Sequence, residues 1–245
     1  MNMSKKKLSL VFVAIGICAV ALTVVFLRSP AKNKQPTEAP APGLESAGLS
    51  FLNMNNQTRI TNERRESLKS ELGPEAYATR TTINLEMHDS GFLAAYFPEI
   101  NTLNRQLNYL PRGRVEYDAI RLTYRYARKK NTPLDFVRLI FASDTGKPLF
   151  FYIRTTQEGF EFLSTLKEKY GVPHTIEWAN GKGQSYYWQQ SDDYLIVSET
   201  KTRIGTPEFH FGFYFNGNIQ SLLEKEQAKQ EQRLNAPRET IQKVF

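Results

Sequence analysis

The chain has 245 residues, a formal net charge of +7 and one cysteine, Cys18. A single thiol excludes an internal disulfide framework, and because Cys18 falls in an apolar run it leaves the rest of the chain without a cysteine nucleophile. The basicity suggests nucleic acid, but it is uneven: residues 1–44 carry a net +5 and residues 45–245, with 26 basic and 24 acidic residues, only +2, so no nucleic-acid partner is expected.

The first element is the apolar run 8–27, interrupted only by Ser9, Gly16 and Thr23. About 20 residues at roughly 1.5 Å each span a hydrocarbon core of about 30 Å, longer than the h-region of a cleaved signal. Arg28-Ser29-Pro30 is a poor cleavage context, and Ile17 stands where a lipoprotein signal needs a small residue before its cysteine. The run therefore reads as a membrane anchor. Lys5, Lys6 and Lys7 ahead of it predict N-inside, C-outside topology in the inner (cytoplasmic) membrane, with the remainder periplasmic or extracellular. The absence of further cysteine suits a bacterial envelope protein; in a eukaryote, Asn56-Gln57-Thr58 would be a glycosylation acceptor. Residues 29–43, "SPAKNKQPTEAPAPG", hold four prolines and no large apolar residue, the composition of a semi-extended tether.

Residues 44–96 read as a lead-in. A weakly helical stretch over 44–55 is followed by a helix over 62–72 with Thr61 as N-cap and Gly73-Pro74 as stop. "TTINLEMH" then alternates Ile83, Leu85 and Met87 against Thr82, Asn84, Glu86 and His88, a half-buried strand pattern. Asp89 can cap a short helix through "SGFLAAY", and Pro98 can open another that places Ile100, Leu103 and Leu107 on one face. Three strands are predicted in "RVEYDAIRLTYRYA", "LDFVRLIFA" and "PLFFYIR", joined by turn-rich "RKKNTP" and "SDTGK". A helix over "EGFEFLSTLKEKYG" precedes three more: "TIEW" running into "QSYYWQQ", then "YLIVSET", then "EFHFGFYF". Asn216-Gly217-Asn218 caps a long C-terminal helix that loses its apolar stripe after Leu223, and the chain ends in apolar "TIQKVF".

The order helix, strand, strand, strand thus occurs twice, over about 98–154 and 157–215, with no sequence identity between the copies. The predicted fold is α+β: a two-layer α/β sandwich with a mainly antiparallel sheet, helices on one face, built from two helix-plus-three-strand halves. The domains are an anchor (1–28), a Pro-rich linker (29–43), the lead-in (44–96), the α+β core (97–216) and a C-terminal helix and tail (217–245).

Catalytic signatures are sparse. There is no nucleophile elbow and no phosphate-binding glycine loop; "NGKGQS" reads as a hairpin turn. His88, His174 and His210 are not at metal-ligand spacing, although Glu86/His88 and Glu208/His210 each share a strand face. Asp192-Asp193 suits a turn. No catalytic residue, metal or cofactor is expected.

If helices cover one sheet face, the other presents Arg121, Arg125, Tyr187, Gln189, His210 and Tyr214, and such arginine and aromatic surfaces are enriched at binding sites. The sequence therefore points to a single-pass envelope protein with a binding or interaction domain for another envelope protein or a cell-wall component. The alternatives are a non-catalytic scaffold subunit of a membrane assembly, and a carboxylate- or His-dependent envelope hydrolase.

Overall fold

The computed structural model describes residues 48–108, 115–178 and 183–244. The predicted anchor at 8–27, the predicted tether at 29–43, the predicted turn at 179–182 and the last residue lie outside them. Among the described residues no helix is long and apolar enough to cross a membrane. The fold is α+β, with a large antiparallel sheet and five α-helices among the described residues.

The eight strands are β1 (Ala76–Thr81), β2 (Tyr117–Tyr124), β3 (Phe136–Ala142), β4 (Pro148–Thr155), β5 (His174–Trp178), β6 (Gly183–Gln190), β7 (Asp193–Lys201) and β8 (Pro207–Tyr214). They form one sheet in the order β1-β2-β3-β4-β8-β7-β6-β5, every pair antiparallel. The helices are α1 (Asn62–Leu72), α2 (Phe92–Tyr96), α3 (Pro98–Asn108), α4 (Gly159–Tyr170) and α5 (Asn216–Val244), with a 3-10 turn at Ala127–Lys130.

The strand order reads the same from either edge, meeting at the β4–β8 pair, where Tyr152 faces Gly212. Each half begins with a helix that stops in the same way. At the end of α1, Gly73 takes φ 89° and its N–H donates to the Lys69 carbonyl; at the end of α4, Gly171 takes φ 82° and donates to the Lys167 carbonyl. That left-handed turn suits glycine alone, and Pro74 and Pro173 then bar further helix. Both helices pack into one apolar cluster, α1 through Leu68 and Leu72, α4 through Leu163, Phe162, Leu166 and Tyr170.

The repeating unit is thus a helix and four strands, and the counterpart of α4 is α1. This corrects the helix-plus-three-strand reading, which paired α4 with α3. Two misreadings produced it: "TIEW" and "QSYYWQQ" are separate strands that pair with each other, and β1 lies at Ala76–Thr81, ahead of the predicted "TTINLEMH".

Residues 83–88 instead form a strap across the sheet. Ile83 and Leu85 are fully buried, so the apolar alternation is genuine, but no strand pairs with it. Side chains satisfy the backbone that a ladder would otherwise pair. Leu85 N–H donates to Asn104 Oδ1 (2.9 Å), Asn108 Nδ2 donates to the Ile83 carbonyl (3.0 Å), and the Tyr214 hydroxyl donates to the Leu85 carbonyl (3.1 Å). Gly212 makes room for the crossing, since a Cβ there would lie 2.6 Å from Met87 Sδ.

Helices therefore cover both faces, where the sequence reading put them on one. The first cluster, under α1 and α4, takes Phe151 and Ile153 of β4 and Leu195 and Val197 of β7. The second, under the strap, α2, α3 and the start of α5, takes Phe150 and Tyr152 of β4 and Tyr194 and Ile196 of β7. Near-continuous apolar runs such as "PLFFYI" and "YLIV" mark strands buried on both sides.

Candidate functional site

The strap-side face divides into a covered and a polar end. Toward the polar end, register sets a row of arginines. Arg138 on β3 lies opposite Thr123 on β2. Arg121 is two residues before Thr123, so alternation turns it and Arg138 toward one face as diagonal neighbours; Arg125 follows in the bend just past the end of β2, close enough for its charge to bear on Arg138. Arg121 and Arg138 are partly buried and Arg125 is exposed. Ala78 on the edge strand sits beside Arg121 and adds almost no bulk.

The Arg138 guanidinium lies over the Phe136 ring at 5.3 Å and the Tyr152 ring at 6.0 Å. At these distances the rings attract the cation through their faces without taking up its N–H donors. Burial depresses the Arg138 pKa, as do the neighbouring charges of Arg121 and Arg125. Among the described residues no carboxylate approaches any of the three within 4 Å, whereas Arg65, Arg80, Arg128 and Arg154 each have an acidic partner.

Next to this row lie two polar clusters, one on β4, β8 and β7 and one on β5, β6 and β7. The Tyr152 hydroxyl is 2.8 Å from His210 Nδ1, and His210 Nε2 is 3.1 Å from Thr200 Oγ1 and 3.2 Å from Glu208 Oε2. The Thr200 hydroxyl donates to the Glu208 carbonyl, so it accepts from Nε2–H; the proton therefore belongs on Nε2, and Nδ1 accepts from Tyr152. Trp178 Nε1 donates to Ser185 Oγ (2.8 Å), which meets Ser198 Oγ at 2.8 Å. The Trp178 ring fills the space over Gly183, where a Cβ would come within 2.3 Å of it. His88, on the strap, stacks on Trp178 (4.8 Å between ring centres) and leans on His210 (5.1 Å).

Burial lowers both histidines, His88 to about 4 and His210 to about 3, the latter helped by His88 and Arg154. Both are neutral at neutral pH. His210 has both nitrogens engaged and a pKa far below that of an effective general base at neutral pH, so it is a structural hub. Among the described residues no three His, Cys, Asp or Glu could hold a metal ion.

The six sequence-predicted residues do not form one surface. Arg121 and Arg125 are together. Tyr187 and Gln189 lie on β6, five places along the sheet from β2, where Tyr187 stacks on His174 and the exposed Gln189 donates to the Ser191 carbonyl. His210 is buried, and Tyr214 is fully buried with its hydroxyl bonded to the strap. The expectation that His210 and Tyr214 face solvent is corrected: the strap covers that stretch.

Sequence reasoning missed Arg138 and its aromatic floor, Phe136 and Tyr152. One signal was available, a single charge inside the otherwise apolar "FVRLIFA", but the register that sets it diagonal to Arg121 is a tertiary property. Comparison with protein families, with curated proteins and with solved structures returned no match for this chain.

Proposed function

We propose that this is a single-pass, membrane-anchored binding protein of the cell envelope. Residues 8–27 hold it in the inner membrane, residues 29–43 tether it, and the α+β domain engages an anionic partner, another envelope protein or a cell-wall component, on the far side. The observation that carries the binding role is the group Arg121 and Arg138 on a sheet face and Arg125 in the bend just past β2, with no acidic partner among the described residues. Cationic groups clustered without counter-charges repel one another, and an external anion relieves that cost.

A photo-crosslinking residue placed at Arg125 in the full chain, in native membranes, should capture a discrete partner. The same residue at Glu168, on exposed α4, should not. Equal or absent capture at both positions would sink the reading, as would labelling of the domain only by reagents confined to the cytosol. A second reading, a scaffold subunit, draws support from α5. Its first turns bury Ile219 and Leu222, Lys225 and Lys229 pair with Asp144 and Asp118, residues 230–233 are exposed, and the helix runs on to Val244.

A further inference from the structure

We infer that Arg121, Arg125 and Arg138 form an oxyanion site that takes a phosphoryl group of the partner. The inference rests on the binding role proposed above and specifies its chemistry. Three features carry it. The first is placement. Arg138 on β3 stands diagonal to Arg121 on β2, about 7 Å along the strand from it, and Arg125 follows in the bend just past the end of β2, so three long side chains can converge on one group.

The second is orientation. The Arg138 guanidinium carbon lies 5.3 Å from the Phe136 ring centre and 6.0 Å from that of Tyr152, and none of the three arginines donates a side-chain hydrogen bond to a described residue. Their N–H forks match tetrahedral or planar oxyanions in bidentate fashion. The third is charge. Three cations without a carboxylate suit a dianion better than a monoanion, and a phosphoryl group supplies two charges and three acceptor oxygens at one point. Arg154 is the internal contrast: it stacks at the same floor, 5.9 Å from Phe136, but Glu208 lies 3.5 Å from it and neutralises it.

The test uses the full chain in nanodiscs of zwitterionic lipid, titrated calorimetrically with inorganic phosphate and pyrophosphate. Pyrophosphate should bind and Arg121→Gln should weaken it at least tenfold. Arg138→Lys, which keeps the charge and loses the fork, should weaken it severalfold, and Arg203→Gln, at an exposed turn, should leave it unchanged. Repeating the titration in discs containing anionic phospholipid separates two sources. A lower apparent affinity in the wild type but not in Arg121→Gln places the phosphoryl group on a lipid headgroup; unchanged affinity places it on a soluble or polymer-borne group.

Equal binding by wild type and Arg121→Gln overturns the site. Binding of citrate as tight as pyrophosphate overturns the phosphoryl assignment. Capture of a partner at position 125 together with no pyrophosphate binding refutes this inference while leaving the binding role standing.

Discussion

The two halves of the sheet share a plan and differ in how their polar residues are satisfied. On β5–β8, Trp178, Ser185 and Ser198 are joined in short hydrogen bonds, and beside them His210 meets Tyr152, Thr200 and Glu208. On and just past β2 and on β3, Arg121, Arg125 and Arg138 meet no acid among the described residues. Equivalent scaffolding thus supports a closed network on one side and an unfinished one on the other. Fully satisfied polar clusters rigidify a fold, while partly buried charges left unmatched cost stability and persist where something external uses them. Substitutions should therefore behave oppositely in the two halves.

The largest effect belongs to the closed half. Trp178 fills the space over Gly183, stacks on His88, meets Phe92 edge-on at 5.5 Å and donates to Ser185. Trp178→Ala should cost about 3 kcal/mol, toward the low end for a large aromatic because the ring is only partly buried, read as a shift in urea midpoint at constant slope. A loss below about 1 kcal/mol would mean that β5 and the strap pack loosely and that the network is not the rigid element.

The histidines give a pH signature. Their folded pKa values, about 4 for His88 and about 3 for His210, lie below the ordinary 6.5, so the unfolded chain takes up protons first as pH falls. Stability should be full above about pH 6.5 and decline toward about pH 4, by roughly 1.4 kcal/mol per pH unit for each histidine. Glu86 and Asp193, whose carboxyls burial pushes up, act in the opposite sense at the acidic end. His88→Phe keeps the stack and removes one titration, so about half of the slope between pH 6.5 and 5 should disappear. An unchanged slope would assign the pH dependence to other groups.

Most elements were legible because local rules set them. Thr61 caps α1 as its sequence position implied, accepting from Arg64 N–H, and Pro98 opens α3. β2, β3, β4, β7 and β8 fall where alternation and turn residues placed them. The strap was not legible as a strap, because period-2 burial records which side chains face inward and not whether the backbone has a neighbouring strand. The covered second face was hidden for a related reason: "EFHFGFYF" reads as one apolar row against His210, Gly212 and Tyr214, and only the crossing chain turns those three inward. The arginine group was half legible: Arg121 and Arg125 from their spacing, although β2 ends at Tyr124 and leaves Arg125 in a bend, and Arg138 not, since cross-strand register depends on which strands pair.

A smaller effect tests whether the closed half is a chain of bonds or a set of separate contacts. Ser198→Ala removes the partner of the buried Ser185 hydroxyl, which still accepts from Trp178 but loses its outlet. The expected cost is about 1 kcal/mol by chemical denaturation, with the Trp178 fluorescence maximum moved as the indole repositions. A loss in stability without any spectral change would confine the bond to its own pair.

The smallest expected effect has the opposite sign. Arg121→Gln removes one cation from a cluster that has no acid to lose, keeps a polar stem, and breaks no hydrogen bond among the described residues. Its stability should stay within about 0.5 kcal/mol of the wild type or rise, measured at low salt where repulsion is least screened. Arg154→Gln, two strands along, strands Glu208 beside neutral His210 and should lower stability by roughly 0.5–1 kcal/mol. The comparison isolates pairing as the variable, since both arginines occupy strand positions on the same sheet face. If Arg121→Gln destabilises as much as Arg154→Gln, the first half holds its arginines by contacts of its own, and the contrast between an open and a closed network fails.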